Sequence, residues 1–230
     1  MVTAVRDAFD AEARRLVEAM FSLPEEEFDR PTGCPPWSVR ELLAHVRMTV
    51  ARLLDMLAAP APPVAEVDAA GYYGPTKFTA TVDAARIDGA RDEAAARRTG
   101  HTLAVELDRT WRAVRAALAG QPAGRVVRTR HGDPMLLDDF LITRVVELGV
   151  HGLDLAAALG REPWLTPAAA AVIERLLLGD AMPGAGTTAV LADLGWDRLT
   201  FIAKATGRAP MSPTERAAVE RAGLRWLSFG

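Results

Sequence analysis

The chain is short of cysteine, lysine, aromatic residues and long apolar runs, and each shortage excludes something. A single cysteine, Cys34, rules out an internal disulfide and a cysteine-built zinc cluster, and it suits a reducing cytoplasm. Only Lys77 and Lys204 are lysines among 27 basic residues; the rest are arginine, and with the long alanine runs this is the bias a GC-rich genome writes. The formal net charge of −3 argues against broad electrostatic binding to nucleic acid or anionic lipid. Aromatic residues make up 6%, and alternating Val/Ile/Thr is confined to Arg125–Arg130, so strands are scarce. No apolar run reaches the roughly 18–20 residues of a membrane span. Charges at Arg6, Asp7, Asp10, Glu12, Arg14 and Arg15 deny the N-terminus the apolar centre of a signal peptide. The expectation is a soluble cytoplasmic protein with no membrane or nucleic-acid partner.

Helix signals are abundant. Half of the 230 residues are hydrophobic and a quarter are charged, which is globular material for one domain with or without a short appendage. Val5, Phe9, Ala13, Leu16 and Met20 recur at spacings of three and four and predict a first helix over Thr3–Met20. Ser38 with Glu41 forms a capping box for a second helix, whose stripe runs through Val39, Leu42, Leu43, Val46, Val50, Leu53, Leu54 and Leu57 to about Ala59. A long connection over 60–88 contains Gly71-Tyr72-Tyr73-Gly74-Pro75 and reads as a lid or wall. A third helix is expected over Gly89–Leu118 and a fourth over Asp138–Leu159, closed by Gly160. The result is an all-α chain: a four-helix bundle over 1–160 with long crossovers, and a short helical extension over 161–230 packed on it. Thr166-Pro167 and Ser212-Pro213-Thr214-Glu215 start helices in that extension. The stretch Gly179–Gly186 lacks the Gly-Lys-Ser/Thr ending of a phosphate loop and reads as plain loop.

The histidines are His45, His101, His131 and His151. Arg144, Glu147, His151 and Asp154 form a polar ridge, at spacings of 3, 4 and 3, on a fourth helix that is otherwise apolar almost all round. That ridge is either a wet edge with Arg144–Glu147 and His151–Asp154 pairs, the commoner arrangement, or an interior polar site. His45 lies beside the apolar stripe of its helix. Together, His45 from one helix and Glu147 with His151 from another can supply three metal ligands across facing helices, leaving further positions open. His101 and His131 have no comparable partners. No Gly-x-Ser-x-Gly elbow occurs, and Cys34, between Gly33 and two prolines, reads as structural. Trp37, just ahead of the Ser38 cap, is expected to be a buried packing residue.

The run from Cys34 through Trp37-Ser38-Val39-Arg40-Glu41-Leu42-Leu43-Ala44 to His45 resembles the second-helix signature of DinB-like proteins. It is closer to the metal-binding domain of mycothiol-dependent maleylpyruvate isomerases, and Arg144-x-x-Glu147-x-x-x-His151-Gly152-x-Asp154-Leu155 resembles the second half of that signature. The resemblance covers about residues 1–160. It implies a four-helix bundle in which His45, Glu147 and His151 hold a divalent metal, zinc as a rule. It further implies that the metal activates the sulfur of a small thiol, mycothiol, a role consistent with the lowering of a thiol pKa by a metal cation. The isomerases carry a separate mixed α/β C-terminal domain, whereas residues 161–230 here read as short and helical.

The expected function is a metal-dependent, mycothiol-using enzyme, either an S-transferase or a thiol-assisted isomerase of a small electrophile. Asp154 and Arg144 would support catalysis behind the metal ligands, the Gly71–Lys77 loop with Tyr72 and Tyr73 would wall the pocket, and Arg47 and Arg130 would hold cofactor groups. A non-catalytic metal-binding or stress-response protein and a metal-dependent hydrolase need the same ligands and stand as alternatives. The protein is expected to be a monomer or homodimer.

Overall fold

Helix starts along this chain are fixed by side chains that satisfy the first free N–H groups. The computed structural model describes residues 2–74, 79–97, 99–179, 191–224 and 226–227. Helix α1 spans Val2–Phe21 and α2 spans Val39–Ala58, the latter opened by the complete Ser38/Glu41 capping box. Helix α3 covers Ala80–Ala96 with Thr79 as its cap, and α4 covers Gly100–Ala119 with Thr99 as its cap. A short hairpin follows, strand β1 at Val126–Arg128 paired antiparallel to β2 at Pro134–Leu136. Helix α5 runs Leu137–Leu159 and ends at Gly160, whose φ of 63° is the left-handed turn that a glycine adopts without strain. In the C-terminal segment lie α6 (Pro167–Leu178), α7 (Arg198–Ala205) and α8 (Pro213–Arg221). Their caps are Thr166, Asp197 and Ser212.

The chain is mostly helical, as expected. Helices α1, α4, α2 and α5 pack in that cyclic order, each against its two neighbours, around a core that includes Phe9, Leu16, Leu43, Val50, Leu107, Trp111, Leu141 and Leu148. Full burial of each such side chain contributes roughly 1.5–3 kcal/mol.

The third expected helix, Gly89–Leu118, proves to be two. The break falls between Ala96 and Gly100, and α3 lies on α2 outside the four-helix ring. Its cause is tertiary. A Cβ on Gly100 would collide with the Phe28 ring, and Glu25 accepts hydrogen bonds from the Gly100 and His101 N–H groups at 2.6 and 3.1 Å. The earlier start of α3 shortens the expected 60–88 connection to about 59–79. Within it Gly71–Tyr73 forms a 3-10 turn with both tyrosines buried. The part of the expected Gly71–Lys77 wall from Pro75 onward, and Asp180–Gly186 of the expected Gly-rich loop, lie outside the described residues.

Helix α6 packs on α1 and α5 and carries α7 on its other side. Its approach to α5 is close. A Cβ on Gly149 would sit 2.8 Å from both Ile173 and Leu165, and one on Gly152 would sit 3.2 Å from Trp164.

Candidate metal centre

Helices α2 and α5 run antiparallel, as two cross-contacts in opposite register record: His45 meets Glu147, and the Thr49 carbonyl accepts from Arg144 at 3.4 Å. This pairing brings His45 to the Glu147/His151 face. Glu147 Oε2 lies 3.3 Å from His45 Nε2 and 3.4 Å from His151 Nε2. The three candidate ligand atoms all lie within 4.8 Å of one another. The other oxygen, Oε1, faces the Arg144 guanidinium at 3.6 Å. Arg144 is 1% exposed, donates from Nε to the Thr143 hydroxyl at 3.2 Å, and lies over the Phe140 ring.

Behind His151 its second nitrogen, Nδ1, meets Asp154 Oδ2 at 3.0 Å. Asp154 in turn accepts two hydrogen bonds from Arg208, Nε to Oδ1 at 3.0 Å and Nη2 to Oδ2 at 2.9 Å. The Cys34 thiol also donates to Asp154 Oδ2, at 3.1 Å. Trp37 stacks on His45 with ring centroids 4.7 Å apart and presents its edge to His151. It is buried as expected, and it also walls the site.

The electrostatics follow from burial and contact. Burial first, with the neighbouring His151 and Arg86 charges, outweighs Glu147 and lowers His45 to about 4, so its imidazole is neutral at neutral pH. Burial pushes the Glu147 carboxyl up, but hydrogen bonds from His151 and His45 and the Arg144 charge hold it well below the usual carboxylate range. His151 is raised well above the ordinary histidine value: burial opposes its charge, and the contacts to Asp154, Cys34 and Glu147 overcome that.

The donor set fits a divalent cation. Two ligands about 2.0–2.1 Å from a tetrahedral ion stand about 3.3–3.4 Å apart, which is the spacing of Glu147 Oε2 from each imidazole. With Nδ1–H donated to Asp154, loss of the Nε2 proton would turn that nitrogen's lone pair toward a cation, the carboxylate–histidine relay common behind metal sites.

These groups open into a cavity of about 190 Å³ lined by Trp37, His45, Thr49, Arg52, Tyr72, Tyr73, Arg86, Arg130, His131, Arg144, Glu147, His151 and Arg208, among others. Tyr72, Tyr73 and Arg130 therefore stand where a ligand would meet them. Arg47 does not. It pairs with Glu93 of α3 and donates to Thr110 of α4 at 3.3 Å, turned away from the cavity. The unrecognised segment that became α3 supplies that glutamate. Sequence reasoning also passed over Arg52, Arg86 and Arg208. Arg52 carried a readable signal, since it lies seven residues past His45 on one helix face; Arg208 comes from a loop 54 residues beyond Asp154 and carried none.

Fold and site together define a helical bundle with a His/His/Glu candidate metal centre between two of its helices. The family model of the mycothiol maleylpyruvate isomerase N-terminal domain matches residues 9–156, and the chain belongs to that family. It is also similar to two uncharacterised proteins of Mycobacterium tuberculosis, MT0041 of strain CDC 1551 / Oshkosh and Rv0036c of strain H37Rv. Each is 30% identical over 154 residues, 65% of this chain and 54% of the relative. The chain thus spans about half the length of these relatives. No solved structure matches. Among the described residues, no helix is long and apolar enough to cross a membrane.

Proposed function

We propose that the protein is a metal-dependent enzyme that uses mycothiol, a small-molecule thiol, for S-transfer to, or thiol-assisted isomerisation of, a small electrophilic substrate. The observation that carries this reading is the spacing of Glu147 Oε2, 3.3 and 3.4 Å from two imidazole nitrogens at the wall of a cavity. Membership of a family named for mycothiol supports the thiol. His45, Glu147 and His151 hold the cation, and two nitrogens with one oxygen suit zinc. Such a cation, when bound, lowers the pKa of a thiol and presents it as a thiolate at neutral pH.

The chain's own groups then orient and exclude. Asp154, engaged by His151, Arg208 and Cys34, fixes the His151 ring with Nε2 toward Glu147 and is poorly placed to take a proton. The thiol proton therefore leaves to solvent. Arg144 fixes the second oxygen of Glu147, and Trp37 keeps water from one side of His45. Tyr72 and Tyr73 also line the cavity.

The test replaces the resident metal with cobalt(II) and adds mycothiol to the full chain. A sulfur-to-metal charge-transfer band is expected. Bound cobalt whose spectrum is indifferent to the thiol would overturn the thiol reading and favour the hydrolase or binding-protein alternative.

A further inference from the structure

The cavity wall is far more cationic than a metal site requires. Arg52, Arg86, Arg130, Arg144 and Arg208 line it, and Glu147 is the carboxylate among its described lining residues. Two of these arginines are answered elsewhere, Arg208 by Asp154 and Arg86 by Asp83 at 2.9 Å. Arg52 and Arg130 have no carboxylate within ion-pair distance among the described residues. Arg130 Nε meets only His131 Nε2, at 3.1 Å. Arg144 is buried, and its Nη2 makes no hydrogen bond but stands within ion-pair range of Glu147 Oε1, at 3.6 Å. Unpaired guanidinium groups gathered in a partly desolvated pocket repel one another and bear a solvation cost. The cost registers at Arg52, which burial first, then Arg130 and Arg144, lower to about 10.

Their placement is directional. His45, Thr49 and Arg52 share one face of α2, and seven residues at 1.5 Å each put Arg52 about 10.5 Å along the axis from the metal ligand. Because α5 runs the opposite way, Arg144 lies one turn from Glu147 toward the same end. The turn between β1 and β2 brings Arg130 there, and Tyr72, flanked by Tyr73, His131 and Phe140, walls the space. The cavity thus has a ligand-set end and an arginine end.

We propose that Arg52 and Arg130, with the Arg144 guanidinium beside them, form an oxyanion subsite, two helical turns from His45, that takes a carboxylate or phosphate carried by the substrate. This deepens the reading of the cavity as a substrate site and rests on it. Guanidinium forks match the paired oxygens of either anion, and a neutral substrate would leave Arg52 and Arg130 uncompensated. The subsite fixes which end of the electrophile faces the thiol.

The test is calorimetric titration of the purified full chain with succinate and, separately, inorganic phosphate, with metal content measured on the same samples. Wild type is expected to bind at least one of them, and the tighter one names the group. Arg52→Gln and Arg130→Gln should each weaken that binding by about tenfold or more, at unchanged metal content and melting midpoint. Arg52→Lys should retain part of it. Absence of binding of both anions at millimolar concentration overturns the subsite, as does wild-type affinity in Arg130→Gln and in Arg52→Gln. Should Arg52→Gln not fold, wild-type affinity in Arg130→Gln is by itself sufficient to overturn it. A chain that binds anions through Arg52 yet holds no metal refutes the metal reading alone. A metal-loaded, thiol-responsive chain whose arginine variants bind like wild type refutes the subsite alone.

Discussion

Arg208 grips Asp154 through two parallel hydrogen bonds of 3.0 and 2.9 Å and so ties the C-terminal segment to the carboxylate that orients His151. Removing the charge from that carboxylate loosens the ring without deleting a ligand. Asp154→Asn should reduce metal affinity by roughly 10–100-fold while the chain stays folded. Competition with a chromophoric chelator measures it, and an unchanged affinity would detach Asp154 from the site.

The ligand assignment predicts about one divalent metal per purified chain, held by His45, Glu147 and His151; the second possible donor group, Cys34, His151 and Asp154, shares His151 with it. Elemental analysis should find that content largely lost in His151→Ala, His45→Ala and Glu147→Gln. Equal metal in wild type and all three variants would remove the site.

Trp37 packs between the α2 cap and the His45 ring. Trp37→Ala should cost roughly 3–5 kcal/mol, as large core truncations do, and should open one side of the ligand set to water. Urea unfolding gives the first quantity. A midpoint equal to wild type would contradict the burial of this ring.

Glu12 supplies a pH-dependent test away from the ligands. Its side chain is buried between α1 and the C-terminal segment, with Oε2 accepting from the Thr166 N–H at 2.9 Å and Oε1 unpartnered. Burial raises its pKa against the Thr166 hydrogen bonds and the Arg15 charge. A carboxyl raised in the folded state opposes folding fully above its folded pKa, and the penalty fades as pH falls to the ordinary glutamate value. Glu12→Gln should therefore raise the melting midpoint at neutral pH, with a gain that shrinks toward about pH 4.5. A gain that is constant with pH would show that charge is not its source.

Cys34 donates to Asp154 Oδ2 at 3.1 Å, a bond that a serine hydroxyl can also make. Cys34→Ser should keep metal content and nearly full turnover. A folded but inactive variant would make Cys34 a participant in the chemistry and count against an external thiol.

Much of this was legible in the sequence where the signal was local. Caps at Ser38, Thr166 and Ser212 and the stop at Gly160 are short-range chemistry, and the helices begin and end there. The His45 and Glu147/His151 motifs were readable because spacing fixes faces, and antiparallel packing of α2 on α5 joins those faces. The split at Gly100 was not readable, since its cause is a Phe28 ring 72 positions away in sequence together with the reach of Glu25. Arg47 was misplaced for the same reason: its partner Glu93 sits on a helix the periodicity had merged with the next. Arg208 depends on the path of the C-terminal segment, which no pattern near position 208 encodes.

On the side of α5 away from the ligands, Gly149 and Gly152 let Ile173, Leu165 and Trp164 rest directly against the helix backbone. At these two positions no Cβ stands between them. A shift of α6 is therefore passed to the main chain that carries His151, and Arg208 passes the same shift to Asp154 from the front. The tail and the ligand set are one mechanical unit, so heating should release the bound ion and melt residues 161–179 in a single cooperative event.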